Sequence, residues 1–207
     1  MGIHASPQWW WRLSIVVAGV SGLYTADYGI VAYTTQSSIA VIVYYAGVLY
    51  WMHRRVTVEA AAPRLRAAVL SWVLLSGVVL HFVLAGGRSP LPGVFAGDAG
   101  EISSFLVHYV LPAMVLADWA VFRPFGTTRW PDLFAWTLFP LGYAAIALLR
   151  GALGFRYPYR FLDPTYQGWS GVGLWILLLA AGFLLIGALL IGVDRSRRRS
   201  VIISSPD

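Results

Sequence analysis

Six apolar runs divide the chain, at about 9–28, 33–52, 67–85, 103–122, 133–149 and 171–193. Each is close to the roughly 20 residues an α-helix needs to cross a bilayer. Polar and turn-forming residues gather between them. The pattern predicts an all-α integral membrane protein, a six-transmembrane-helix bundle forming a single domain over residues 1–207. The first run opens on Trp9, Trp10 and Trp11, an interfacial anchor, with Arg12 placed to snorkel toward water. That aromatic start, without a small-residue cleavage site, argues against a signal peptide. Beyond the last run, 194–207 reads as a basic, disordered tail.

The arginines orient the bundle. One side collects Arg12, Arg54, Arg55, Arg64, Arg66, Arg123, Arg129, Arg195, Arg197, Arg198 and Arg199; the other holds only Arg88, Arg150, Arg156 and Arg160. Basic residues accumulate in cytoplasmic loops, so both termini are expected in the cytoplasm and the chain in the cell membrane as a multi-pass protein. The outer face then carries a turn after Tyr28 and two longer loops, at 86–100 and 151–170.

Composition narrows the chemistry. Of 207 residues, 58% are hydrophobic and 12% charged, against about 25% charged in soluble domains. There is no cysteine and no lysine, which excludes disulfides, thiolate metal sites, Schiff-base chemistry and a P-loop. The net charge of +6 is explained by topology, so no nucleic-acid partner is expected; a membrane lipid or lipid-like ester is.

An ionisable residue within a span is a candidate functional group. His108 lies about five residues into the fourth run, roughly 8 Å deep. Pro112 follows four residues later and cannot donate to the His108 carbonyl, predicting a free carbonyl and a kink there. Glu101, Ser104, His108, Val115 and Asp118 share one helix face. Glu101 and Asp118, about 10 and 15 Å away along the axis, are too far to orient the imidazole. Asp118 reads as a cap or a partner for an arginine such as Arg123. The second run opens on Thr34-Thr35-Gln36-Ser37-Ser38. These side chains would cap the helix or bridge helices. Alternatively, Thr34 is a nucleophile with His108 as its base, and Gln36, Ser37 and Ser38 donate to an oxyanion. His81 lies at similar depth in the third run. The 151–170 loop is either an aromatic belt or a lid, with Arg156 or Arg160 attracting a carboxylate or lipid head group and Asp163 pairing with one of them. A metal site at His81, His108 and Glu101 (or Asp98) would require the two histidines to converge.

Tyr33-Thr34-Thr35-Gln36-Ser37, Pro63-Arg64-Leu65-Arg66, Leu106-Val107-His108-Tyr109-Val110-Leu111-Pro112, Asp118-Trp119 and Tyr157-Pro158-Tyr159-Arg160-Phe161-Leu162-Asp163-Pro164 occur in this order. Between about Val31 and Asp194 the chain resembles bacterial six-span relatives of the androgen-induced integral membrane proteins. The animal members are threonine hydrolases of fatty acid esters of hydroxy fatty acids. The resemblance implies Thr34 as nucleophile, His108 as its histidine, and no cofactor. Where relatives have Phe-Thr-Ile-Gln-Ser-Asn, this chain has a second threonine, so Thr35 is the alternative register. The two would face about 100° apart, and only one can meet His108.

Overall fold

The computed structural model describes residues 3–25 and 29–203, with side-chain environments through Arg197. Among the described residues all regular structure is helical. The principal elements are α1 (Pro7–Tyr24), α2 (Tyr33–Arg55), α3 (Pro63–Val78), α4 (Leu91–Phe95), α5 (Ala99–Phe105), α6 (Leu111–Val121), α7 (Asp132–Ala152) and α8 (Pro164–Ile203). α3 continues through a π-helical segment, Val79–Leu84, and α5 runs into α6 through another, Leu106–Val110. Four helices are long and apolar enough to cross a membrane: Pro63–Leu84, Ala99–Val121, Asp132–Ala152 and Pro164–Arg197. α1 and α2 are also helical, but α2 is diluted by its polar start and its His53-Arg54-Arg55 end.

Each end is set by local chemistry. Ser6 caps α1, accepting from the Trp9 N–H, with Pro7 at the first helical position. α2 ends at Val56 in the left-handed region (φ 50°). The residues expected to close the first span, Ala26–Tyr28, lie outside the described residues. Of the expected tail, residues 194–203 continue α8 as helix, and 204–207 lie outside the described residues. Arginine is a good helix former, and buried Asp194 ties α8 down: its carboxylate accepts from the Gly126 and Thr128 N–H groups and the Thr128 hydroxyl at 2.8–2.9 Å.

α3 is the central helix, packing against α2, α6, α7 and α8, while α1 packs on α2 and α6. Two prolines shape the packing. Pro140, inside α7, cannot donate to the Trp136 carbonyl, which instead accepts the Trp72 indole N–H at 2.9 Å. At Pro112 the sequence predicted a kink. The helix is widened there, the Leu111 N–H bonding the Leu106 carbonyl five residues back. Such π-turns recur at functional sites.

Arg12 corrects the sequence reading most sharply. It does not snorkel. It is fully buried, bonded to Asp118 Oδ1 at 2.9 Å and to the Val58 carbonyl at 2.8 Å. Asp118 also receives Arg66 at 3.4 Å and the Tyr45 hydroxyl at 3.0 Å, so its partners are Arg12 and Arg66, not Arg123. Arg66 also donates to the carbonyls of Phe122 and Pro124 just past the end of α6. A buried charge survives only when paired and hydrogen-bonded, and this cluster joins α1, α2, α3 and α6 at the end of the bundle opposite Thr34.

Candidate active site

Thr34 is in the first turn of α2 and His108 in the π-segment before α6. Both are buried, and Thr34 Oγ1 lies 2.9 Å from His108 Nε2. The other ring nitrogen fixes the tautomer. Nδ1 is 2.9 Å from the Ser104 carbonyl oxygen, which can only accept. Nδ1 therefore carries the proton, and the Nε2 lone pair accepts from the Thr34 hydroxyl. Ser76 of α3 approaches from the third side, its Oγ 2.9 Å from Thr34 Oγ1. With the Thr34 proton committed to His108, Ser76 is the donor. A hydroxyl, an imidazole nitrogen able to accept its proton and an orienting carbonyl are thus joined by hydrogen bonds.

The approach of α3 depends on Gly77. A Cβ there would stand 2.5 Å from the His108 carbonyl oxygen. The absent side chain lets Ser76 and His108 flank Thr34 together.

Two cavities meet at this pair. One, about 740 Å³ counting its open mouth, runs between α3, α7 and α8 and is lined mainly by apolar residues such as Leu75, Val79, Leu141, Leu179 and Phe183. The other is a wider vestibule of about 1930 Å³ under the 155–166 loop, with Arg150, Arg156 and Arg160 on its wall. None of the ion pairs among the described residues involves these arginines. Arg150 lies over the Phe155 ring and Arg160 over Tyr166. Asp163 is engaged elsewhere, accepting from the Thr165 N–H and hydroxyl at 2.9 and 2.7 Å. Thr34, His108 and Tyr159 are the polar residues common to both cavities; Leu80 and Leu84 complete the junction.

The other expected residues are elsewhere. The Gln36 amide donates to the Ile30 carbonyl, and Ser37 to the Thr34 carbonyl. Ser38 Oγ and Thr35 Oγ1 are buried without hydrogen-bond partners and line neither cavity. Thr34, not Thr35, meets the histidine. His81 Nδ1 is 2.9 Å from the Tyr109 hydroxyl. Asp98 caps α5 through the Glu101 N–H. Among the described residues no three His, Asp or Glu side chains come close enough to hold a metal ion, so the His81–His108–Glu101 constellation does not assemble.

Two participants escaped the sequence reading. Ser76, in an apolar run, carries no signal beyond a hydroxyl more than a helical turn deeper than His81. Tyr159 lay in a recognised segment but was passed over for its arginine neighbours. Compared with protein-family models, with characterised proteins and with solved structures, the chain finds no match in any of the three.

Proposed function

We propose that the protein is a membrane-embedded hydrolase of lipid-like carboxylic esters, with Thr34 as nucleophile and His108 as general base. The observation that carries this reading is the 2.9 Å Thr34 Oγ1–His108 Nε2 contact, made by a tautomer fixed through Ser104 and placed where an apolar cavity opens into a polar one. A threonine hydroxyl is inert without a base in reach, and here the imidazole is within hydrogen-bond distance where two cavities meet. His108 takes the Thr34 proton as Oγ1 attacks the ester carbonyl. It returns that proton to the leaving alcohol, then activates water to release the acid. The apolar cavity suits an acyl chain. The arginine vestibule suits an anionic group on the rest of the substrate. No cofactor is called for.

The same reading places six helices across the cell membrane, α1 and α2 joining the four most apolar ones. Removing the buried Arg12 and Arg66 from the count still leaves the arginine excess on the side assigned to the cytoplasm. Thr34 and the vestibule then face outward. The resemblance to the androgen-induced family points to the same two residues.

The test is covalent capture of purified protein by a fluorophosphonate probe. Wild type and Thr35→Ala are expected to label; Thr34→Ala and His108→Ala are not. A folded wild type that neither labels nor cleaves long-chain esters would overturn the hydrolase reading in favour of lipid binding.

A further inference from the structure

An attacking Thr34 turns the substrate carbonyl oxygen into an oxyanion, and that charge needs a donor already in place. Gln36 and Ser37, the donors expected from sequence, are spent on other carbonyls, and Ser38 lines neither cavity. Ser76 is aimed at Thr34 itself. The first turn of α2 offers more. Its N-terminal N–H groups have no intrahelical partner, and the N-cap Ala32 has no side chain to satisfy them. What fills the gap comes from 126 residues away. The Tyr159 hydroxyl oxygen accepts the Tyr33 N–H at 3.1 Å and interacts with both the backbone and the side chain of Thr34.

This arrangement polarises the phenol. Its oxygen accepts the Tyr33 amide at the positive end of the α2 dipole, so its own proton is directed to a different acceptor. The nearby Tyr143 hydroxyl donates to the Val31 carbonyl at 2.9 Å, and its oxygen is the neighbouring acceptor for Tyr159, which a substrate carbonyl at the cavity junction would displace. The Tyr159 ring stacks on Phe161, centroids 5.0 Å apart and planes within 6°. Burial pushes the Tyr159 phenol above the ordinary tyrosine range, so it stays protonated at neutral pH.

We propose that the Tyr159 hydroxyl is the oxyanion donor of this site, a catalytic residue supplied by the loop before α8. The inference rests on the hydrolase reading. As the Thr34 Oγ1–carbon bond forms, the carbonyl π pair moves onto oxygen and is met by the Tyr159 O–H, without proton transfer, while the Thr34 proton passes to His108 Nε2. Collapse restores the carbonyl, breaks the bond to the leaving alcohol and sends the His108 proton to that oxygen. Tyr159 donates again when water attacks the acyl-enzyme.

The experiment compares wild type, Tyr159→Phe and Thr34→Ala in detergent, after thermal unfolding has shown each to be folded. Phenylalanine keeps the ring and its stack on Phe161. Three quantities are read on one p-nitrophenyl long-chain ester series: kcat, KM, and the affinity of a phosphonate that mimics the tetrahedral state beside that of a non-hydrolysable ether analogue. Loss of one oxyanion donor costs about 10²–10³ in kcat. Tyr159→Phe is expected to lose that much with KM nearly unchanged, and to weaken the phosphonate while leaving the ether analogue alone. A kcat within about threefold of wild type, or a raised one, overturns the proposal, since the Tyr33 and Thr34 amides would then receive the oxyanion themselves. So does equal weakening of both analogues, the signature of a merely structural tyrosine. An inactive wild type overturns the hydrolase reading; an active, Thr34-dependent wild type beside an undiminished Tyr159→Phe overturns only this inference.

Discussion

Gly77 stands directly against the His108 carbonyl, close enough that any side chain on Gly77 would collide with backbone, not with a yielding side-chain tip. The contact couples α3, which brings Ser76, to the π-turn that carries His108. Overpacking of this kind costs about 1–3 kcal/mol. Gly77→Ala is therefore expected to lower the unfolding temperature in detergent and to slow probe capture at Thr34. Gly142→Ala, with nothing near its Cβ position, is the control and should change neither. Normal capture in a destabilised Gly77→Ala would uncouple the two helices.

Ser76 donates a single neutral hydrogen bond to the Thr34 hydroxyl, worth about 1 kcal/mol net. Ser76→Ala should slow capture of the phosphonate probe by roughly fivefold without abolishing it, and Ser76→Thr should recover most of the loss. Abolition in Ser76→Ala would instead make Ser76 the group that is labelled, which mass spectrometry of the adduct would reveal.

Charge removal should separate the buried ion-pair cluster from the exposed pair beside it. Breaking a buried ion pair costs about 3–5 kcal/mol, and Asp118 serves two buried arginines. Asp118→Asn is expected to be poorly folded or strongly destabilised by detergent unfolding curves. Asp132→Asn, which touches a half-exposed Arg64 at 3.7 Å, should shift the same curves by less than about 1 kcal/mol.

The apolar cavity should set chain-length preference. Each buried methylene contributes about 0.8 kcal/mol, so denying burial to three of them weakens a ligand by roughly fifty-fold. Ala180→Phe, filling the wall on α8, is expected to raise KM for long-chain esters by about that factor while acetate esters are cleaved at the wild-type rate. Equal effects on both would mean the acyl chain lies elsewhere.

The helical layout was legible because apolar runs of about 20 residues permit little else. Thr34 and His108 were legible by residue type and depth as one of two readings, which the resemblance then favoured; their 74-residue separation carries no local signal. Arg12 was misread because a basic residue one turn past an aromatic anchor normally snorkels, and only the arrival of Asp118 from α6 makes burial affordable. The widened turn at Pro112 was hidden for a different reason. A missing N–H announces that a carbonyl loses its usual partner, but whether the helix bends or rewinds is decided by what packs alongside, here Gly77. Gln36 and Ser37 looked like oxyanion donors because composition does not say which way a side chain turns at a helix start.

The Arg12–Asp118 bond also constrains how the molecule is made. Its two halves are 106 residues apart in the chain, so α1 leaves the ribosome long before its counter-charge exists. Arg12 is only in the second turn of α1, where an arginine without its counter-charge costs less than the roughly 2.5–3.5 kcal/mol of the bilayer centre and can reach water. Arg12 is thus expected to stay near the water boundary until α6 supplies Asp118, so that nascent chains truncated before Asp118 should leave α1 accessible to aqueous reagents.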